Sequence, residues 1–230
     1  MKTIGLLGGM SWESTTHYYQ LLNQGINARL GGLHSAPIVL LSVDFQPLET
    51  LMQQGKWTEL SVHLADAAQK IEKAGADFLL ICTNTMHKIA QKITDAIDIP
   101  LLHIADATAE KIKAQGMHTV GLLGTVFTME EEFYRGRLAE KHGLAVVIPP
   151  PEDRKKVHDI IFDELCRGKI NDSSRQTYLR IIDTMHRQGA EGIIAGCTEI
   201  GMLISQDHTP VPLFDTTALH VEQAINYALL

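Results

Sequence analysis

In two short stretches of the chain, side chains that can carry protons come directly after a run of apolar residues. Residues 79–88 read LLICTNTMHK, and residues 193–202 read IIAGCTEIGM. In the second stretch Cys197 comes directly after the apolar run, where the N–H groups and dipole of a following helix would lower the pKa of a thiol. Because Thr198 and Glu199 follow at once, we expect Cys197 to be a reactive thiol in a ligand-binding loop.

The other cysteines and the histidines give weaker indications. The chain has 3 cysteines and no C-x-x-C pair, which favours reduced thiols over a disulfide framework or a zinc site. Cys166 falls within a predicted helix and is interpreted as a packing residue. His87 lies one helical turn after Thr83, and we interpret it either as a group that orients this loop or as a direct participant in the chemistry.

The glycine-rich segment near the amino terminus excludes some familiar sites. Residues 5–10 read GLLGGM, which lacks the Gly-Lys-Ser/Thr of a P-loop and the G-x-G-x-x-G of a dinucleotide site. Residues 9–13 read GMSWE, which is not the G-x-S-x-G turn of serine hydrolases. A tight strand-to-helix turn and an anion-binding loop both remain open.

Composition and charge narrow the class of protein. Hydrophobic residues make up 45% of the chain and charged residues 20%, as in ordinary soluble globular proteins. The net charge of −7 argues against nucleic acid or an anionic membrane as the main partner. No segment approaches the ~18 consecutive apolar residues of a membrane span, and the amino terminus is too rich in glycine for a signal peptide. We expect a soluble, cytoplasmic protein.

The chain contains an internal repeat. Residues 3–9, TIGLLGG, reappear as TVGLLGT at residues 119–125. Two further pairs of blocks follow in the same order, at 73–80 with 188–194 and at 99–102 with 211–214. The three pairs are offset by 116, 114 and 112 residues. This near-constant offset predicts two structurally equivalent halves.

Each half alternates short apolar runs with amphipathic stretches. The apolar runs predict buried parallel strands at 3–7, 38–43, 78–82, 101–104, 119–123, 145–148, 192–195 and 213–214. The amphipathic stretches predict helices at 14–29, 58–73, 84–96, 106–114, 130–142, 154–166, 172–187 and 217–229. This alternation predicts an α/β fold of two similar Rossmann-like parallel-sheet domains. We expect one domain at 1–107 plus 213–230 and the other at 108–212.

Parallel sheets bind ligands beyond the carboxyl ends of their strands. Four predicted loops lie there, at 8–11, 83–85, 124–125 and 197–199. If a pseudo-twofold axis relates the halves, these loops face each other across an interdomain cleft. One substrate would then meet one loop from each half.

At these loops the sequence resembles the aspartate/glutamate racemase family, whose members need no pyridoxal cofactor. Relatives carry Cys-Asn-Thr-x-His in the first half and Gly-Cys-Thr-Glu in the second, which correspond here to TNTMH at 83–87 and GCTE at 196–199. The start GLLGGMSWEST and the segment SVDF at 42–45 are similar to the aspartate-racemase branch. The resemblance covers the whole chain and implies an amino-acid substrate, no cofactor and a homodimer.

The resemblance also implies a mechanism with two proton-carrying groups. One thiolate removes the α-proton of an amino acid, and a thiol on the opposite face returns a proton. Hydrogen bonds to the substrate carboxylate stabilise the planar carbanion between them, and Asn84, Thr85 and Thr198 are the expected donors. The remaining substrate contacts that we expect are Met10, Gln46, Thr125 and Glu199.

This sequence departs from the family at the first catalytic position. Thr83 stands where relatives have cysteine, and Cys82 comes one residue early. Because a shift of one residue turns a strand side chain to the opposite face, we expect Cys82 to be buried behind the site. A thiol has a pKa of ~8.5 and a hydroxyl one near ~15.7, a gap worth roughly 10 kcal/mol. We therefore expect Cys197 to be the strong base, with Thr83 as its weak partner and a low turnover. The family resemblance implies that Cys197 acts on the L-enantiomer.

A second departure concerns the side chain of the substrate. Relatives that act on acidic amino acids often have a lysine in the segment that matches 164–168, but here Cys166 takes that place with Arg167 beside it. Gln46 would offer a neutral hydrogen bond instead. Aspartate or glutamate, and a broader or neutral range of amino acids, both remain open as substrates.

Two other functions fit the same residues. Single-cysteine relatives include decarboxylases that protonate an enediolate from one side, which one cysteine and one threonine would also suit. A non-catalytic amino-acid-binding protein that has lost one of its two proton-carrying groups is the third interpretation.

Overall fold

The computed structural model describes all 230 residues and divides them into two compact units. The first consists of residues 1–104 and 220–230, and the second of residues 105–219. This division differs from the expected one at residues 105–107 and at residues 213–219, all of which lie in the second unit. Residues 213–219 belong there because the strand Leu213–Asp215 forms its hydrogen bonds with the sheet of the second unit.

The first unit is built on a three-stranded parallel sheet in the order β2-β1-β3. Its strands are β1 (Ile4–Gly8), β2 (Ile38–Ser42) and β3 (Phe78–Ile81). Its helices are α1 (Trp12–Leu30), α2 (Phe45–Gln53), α3 (Trp57–Lys73), a 3₁₀ helix (Thr85–Ile89) and α4 (Ala90–Thr94).

The second unit has a four-stranded parallel sheet in the order β5-β4-β6-β7. Its strands are β4 (Thr119–Gly124), β5 (Ala145–Val147), β6 (Gly192–Gly196) and β7 (Leu213–Asp215). The helices that follow α4 in the chain are α5 (Ile104–Ala114), α6 (Val126–Glu130), α7 (Glu132–Gly136), α8 (Pro151–Asp163), α9 (Asp172–Arg187), α10 (Ile200–Leu203) and α11 (Thr216–Ala228). Helix α11 begins in the second unit and continues into the first.

Burial explains why the first strand and helix pack as they do. All five residues of β1 are buried, as expected for the central strand of a parallel sheet covered on both faces. Helix α1 begins at the cap Ser11 and buries Tyr18, Leu22 and Ile26, which are spaced four residues apart on one face. This stripe joins the core that contains Ile4 of β1.

The fold class predicted from the sequence is confirmed, but some elements differ. The predicted strand 101–104 is wrong: Leu101 forms only an isolated bridge to Leu79, and α5 already begins at Ile104. The predicted helix 130–142 is broken into the end of α6, then α7 and a π-helical turn. Helix α2 was not predicted. No helix is both long and apolar enough to cross a membrane.

Candidate active site

The register of the two sheets shows which residues of the repeats are equivalent. Leu7 and Leu123 occupy the same position in TIGLLGG and TVGLLGT. Leu7 on β1 pairs with Ile81 on β3, and Leu123 on β4 pairs with Ala195 on β6. Ile81 and Ala195 are therefore equivalent, and the same correspondence continues past the strand ends.

Two residues further along, Thr83 corresponds to Cys197. Both side chains are partly exposed, whereas the residues that follow them, Asn84 and Thr198, are buried. Cys82 corresponds instead to Gly196, has no exposed surface and lies in the hydrophobic core of the first unit. Burial raises the pKa of the Cys82 thiol well above its usual value. Its position in the core agrees with the expectation that it lies behind the site.

The loop after β1 is organised by its own hydrogen bonds. The Gly9 N–H donates to Thr15 Oγ1 at 2.7 Å, and that hydroxyl donates to the Ser11 carbonyl oxygen at 2.8 Å. Gly9 has φ of +92°, and a Cβ there would lie 2.2 Å from the Val43 carbonyl oxygen, so only glycine fits. The predicted contact Met10 is buried in this loop, with an exposed fraction of 4%.

His87 supports the loop of Thr83 through the backbone. Its Nδ1 lies 2.8 Å from the Thr83 carbonyl oxygen, and its Nε2 accepts the Ile104 N–H at 3.3 Å. Because an amide N–H can only donate, Nε2 carries no proton, and Nδ1–H therefore donates to Thr83. His87 is 3% exposed. It is thus a neutral imidazole that fixes the position of the loop.

Two more buried histidines surround His87. The ring centroids of His103 and His220 lie 4.5 and 6.0 Å from that of His87. His220 Nε2–H donates to the Leu102 carbonyl oxygen, and its Nδ1 accepts the Tyr18 hydroxyl, both at 2.9 Å. Burial lowers the pKa of His220 to about 4, so this ring is also neutral near pH 7. This cluster was not predicted from the sequence, because its members lie far apart in the chain.

In the second unit, a carboxylate holds the loop of Cys197. Cys197 Sγ–H donates to Glu199 Oε2 at 3.0 Å, and the Thr198 hydroxyl donates to the same oxygen at 2.7 Å. Glu199 is only 3% exposed. Burial, and then the negative charge of Glu199, raise the pKa of the Cys197 thiol well above its usual value.

The expectation that a helix start lowers the pKa of Cys197 is therefore wrong. Helix α10 has only four residues, and its dipole is correspondingly weak. The carboxylate of Glu199 lies in direct contact with the sulfur and favours the protonated thiol. Glu199, expected to contact the substrate, has its Oε2 occupied by two neighbours in its own loop.

Thr125 occupies the start of α6. Its Oγ1 accepts the Thr128 N–H at 3.2 Å, and its side chain is 5% exposed. A Cβ on Gly124 would lie 2.9 Å from the Gly196 carbonyl oxygen, so the glycines allow the ends of β4 and β6 to approach closely. Thr125 thus lies at the same sheet edge as the Cys197 loop.

The remaining predicted residues range from buried to exposed. Asn84 and Thr85 are buried beside Thr83, with exposed fractions of 2% and 6%. Gln46 is exposed in the first turn of α2 and donates to Glu49 Oε2 at 3.2 Å. Arg167 is mostly exposed and lies 3.6 Å from a carboxylate oxygen of Asp163.

Comparison with known proteins identifies relatives over most of the chain. The family model for Asp/Glu/Hydantoin racemase matches residues 7–224. The Broad specificity amino-acid racemase RacX of Bacillus subtilis (strain 168) is 24% identical over 171 residues, which is 73% of this chain and 72% of that protein.

Solved structures give closer matches. The crystal structure of a candidate Asp/Glu racemase from Yersinia pestis has a TM-score of 0.93 and 53% identity, with both chains covered completely. The crystal structure of an aspartate racemase homologue from Pyrococcus horikoshii OT3 has a TM-score of 0.87 and 32% identity, again over the whole of both chains.

Proposed function

The chain belongs to the Asp/Glu/Hydantoin racemase family and is an isomerase of the amino-acid racemase class, and on this premise we propose how it works. It interconverts L- and D-amino acids by proton transfer on two faces of the α-carbon, without a cofactor. Cys197 is the strong base and Thr83 the weak partner. The observation that carries this proposal is the sheet register, which gives Thr83 and Cys197 equivalent positions after equivalent strands.

The chemistry requires two groups because inversion at one carbon needs a proton removed from one face and delivered to the other. The thiolate of Cys197 removes the α-proton of the L-enantiomer, and its raised pKa makes that thiolate a strong base. The hydroxyl of Thr83 delivers a proton to the opposite face and is replenished from water. The alkoxide of Thr83 has a proton affinity roughly 10 kcal/mol above that of a thiolate. Thr83 therefore limits the rate in both directions.

The carbanion requires stabilisation at the substrate carboxylate. We assign this to the polar groups of Asn84, Thr85 and Thr198, which flank the two proton-carrying residues in the sequence. Met10 and Thr125 contribute from the loops after β1 and β4. The side chain of the substrate meets Gln46, whose neutral amide suits both an acidic and an uncharged amino acid, and Arg167 is a supporting cation.

The substrate range that we propose is aspartate, glutamate or a broader set of amino acids. The name of the Bacillus subtilis relative, a broad specificity racemase, supports the wider range. We also propose that the protein is a cytoplasmic homodimer.

The test of the proposal is α-proton exchange. The purified protein is incubated with a panel of L- and D-amino acids in deuterium oxide, with loss of the α-proton followed by NMR and the enantiomers separated by chiral chromatography. We expect exchange and racemisation of at least one amino acid, and loss of both in Cys197→Ala. The matched control is Cys82→Ala, which removes the neighbouring core thiol and retains exchange. Absence of exchange across the whole panel would refute the proposal.

A second candidate function is decarboxylation, which is favoured by the presence of a single thiol at the two equivalent strand ends. A decarboxylase would release carbon dioxide from substituted malonates and would not racemise amino acids. A third candidate is an amino-acid-binding protein, for which ligands would raise the melting temperature without any isotope exchange.

A further inference from the structure

The pair formed by Cys197 and Glu199 bears on how a site with one thiol handles its protons. The sulfur donates its proton directly to Glu199 Oε2 across 3.0 Å, and Glu199 is 3% exposed. A buried carboxylate in contact with the group proposed to act as base is a poor ligand for an anionic substrate, because both would carry negative charge. This geometry calls for a role other than substrate binding.

We propose that Glu199 is the proton acceptor of Cys197, so that the thiol and the carboxyl group share one proton and act as a unit. This inference rests on the proposed racemase function and deepens it. It changes the role of Glu199 from a substrate contact to a catalytic carboxylate that touches the reacting sulfur.

The other titratable groups near the pair support this assignment. Cys197 interacts electrostatically with Cys166, and the phenol of Tyr178 on α9 interacts with both thiols, with Glu164 and with Glu199. These neighbours are thiol, phenol and carboxyl groups, and none of them supplies a positive charge that would stabilise a thiolate. Glu199 is the acceptor to which the sulfur is already hydrogen bonded, and the thiol proton can pass to it directly.

With Glu199 as the acceptor, every proton transferred in the reaction is accounted for. In the resting state Cys197 carries the proton and Glu199 is ionised. Transfer of the thiol proton to Oε2 gives a thiolate and a neutral carboxylic acid, and the thiolate then takes the α-proton while the electrons of the C–H bond pass to the substrate carboxylate. Thr83 donates its hydroxyl proton to the other face and regains one from water, and the resulting hydroxide is neutralised by the proton that Glu199 releases to solvent.

The equilibrium of the first step suits a catalytic intermediate. A carboxylic acid is a stronger acid than a thiol, so the form with the proton on Glu199 is a minor species beside the resting form. The Thr198 hydroxyl, which donates to the same oxygen at 2.7 Å, stabilises the ionised carboxylate and holds the resting state on the thiol side.

The loop of Thr83 has no carboxylate at the position that matches Glu199. The register that matches Thr83 to Cys197 also matches Thr85 to Glu199, so the loop after β3 has a hydroxyl where the loop after β6 has a carboxylate. The residue with the thiol is thus the one that has a carboxylate two positions later. The residue that donates a hydroxyl proton has no acidic residue within TNTMH.

The experiment compares wild type with Glu199→Gln by two measurements. The first is the pH dependence of Cys197 alkylation by iodoacetamide, read by peptide mass spectrometry so that Cys82 and Cys166 are scored separately. The second is the rate of α-proton exchange. Glutamine can still accept the S–H hydrogen bond, but it has no negative charge and cannot take the proton.

We expect opposite changes in the two measurements. Alkylation of Cys197 at pH 7 becomes at least ~10-fold faster in Glu199→Gln, because removal of the charge lowers the thiol pKa by about one unit or more. Exchange becomes at least ~100-fold slower, the loss typical of a missing general base. Glu199→Asp, which keeps a carboxylate, recovers part of the exchange.

The matched control is Thr198→Val, which removes the second donor to Oε2 and leaves the thiol–carboxylate contact in place. It should leave Cys197 poorly alkylated at pH 7. Alkylation rates that are the same in wild type and Glu199→Gln would overturn the pairing, and exchange within about twofold of wild type would overturn the catalytic role. If wild type exchanges no α-proton, the racemase proposal and the role of Glu199 in it both fail, while the alkylation profiles still decide whether the pair exists.

Discussion

Thr83 and Cys197 follow equivalent strands, but groups of different kinds hold their loops. In the first unit the neutral imidazole of His87 donates to the backbone of Thr83 and leaves its side chain unaltered in charge. In the second unit the carboxylate of Glu199 accepts directly from the side chain of Cys197. The two halves thus share a backbone framework, while the electrostatic surroundings of Thr83 and Cys197 differ.

The backbone and the side chains control different properties of these two positions. Positions at the end of a strand are fixed by the hydrogen-bond register, which both sheets keep. Proton affinity is set by the few atoms around each side chain, and single substitutions change it without moving the backbone. We therefore expect variants at these positions to alter rates far more than they alter the fold.

The largest expected effect is the loss of the only thiol of the pair. In Cys197→Ala, α-proton exchange should fall by at least ~1,000-fold, since no other residue in the loop after β6 has the proton affinity to replace it. NMR-monitored exchange in deuterium oxide measures this, with circular dichroism to verify folding. Retention of more than a tenth of the activity would mean that Cys197 is not the strong base.

The next expected effect is a pH dependence of the free energy of unfolding, which arises from the buried His220. Because burial lowers the pKa of His220 from 6.5 to about 4, the folded state binds fewer protons than the unfolded state between these values. The stabilisation is fully present above pH 6.5 and is lost as the pH falls towards 4, with a total of about 3 kcal/mol. Tyr18 and His87 are the titratable groups whose rings lie against this ring.

Chemical denaturation of wild type and His220→Gln at pH 4.5, 5.5 and 7.5 checks this prediction. The free energy of unfolding of wild type should rise with pH across this range more steeply than that of the variant. Equal slopes in the two proteins would show that His220 does not carry the pH dependence.

A third prediction makes the two halves alike. In Thr83→Cys the weak partner becomes a thiol at the same strand end, and racemisation should accelerate by about 10- to 100-fold because the second proton transfer no longer limits the rate. Racemisation rates from both enantiomers, measured by chiral chromatography, provide the readout. A folded but slower variant would contradict the equivalence of Thr83 and Cys197.

The smallest expected effect comes from the backbone support of the first loop. His87→Leu removes the donor to the Thr83 carbonyl and leaves the Ile104 N–H without this acceptor, which should destabilise the protein by about 1–3 kcal/mol. Exchange should slow by about 10-fold because Thr83 is less well positioned. His87→Gln, whose amide can replace one of the two hydrogen bonds, should recover part of the stability and part of the exchange rate. Identical behaviour of the two variants would argue against a positioning role.

Much of the fold could be predicted from the sequence because it depends on local patterns. The apolar runs of β1 and β6 and the glycines that follow them indicate buried parallel strands, and the repeated TIGLLGG fixes the equivalence of the halves. The strand predicted at 101–104 failed because an apolar run of four residues does not distinguish a strand from an extended segment before a helix. The buried histidines were missed since His87, His103 and His220 come together only in the folded chain.

The sequence by itself determined that Cys82 and Cys197 are out of phase and that Thr83 stands in the place of a thiol. The first result needs only the alternation of side chains along a strand, and the second comes from the resemblance of residues 83–87 and 196–199 to the motifs of the racemase family. Only the tertiary structure decided the protonation of Cys197, the tautomer of His87 and the neutral state of His220. These depend on burial and on which atoms lie about 3 Å from each group, and neither quantity is encoded in residue type or spacing alone.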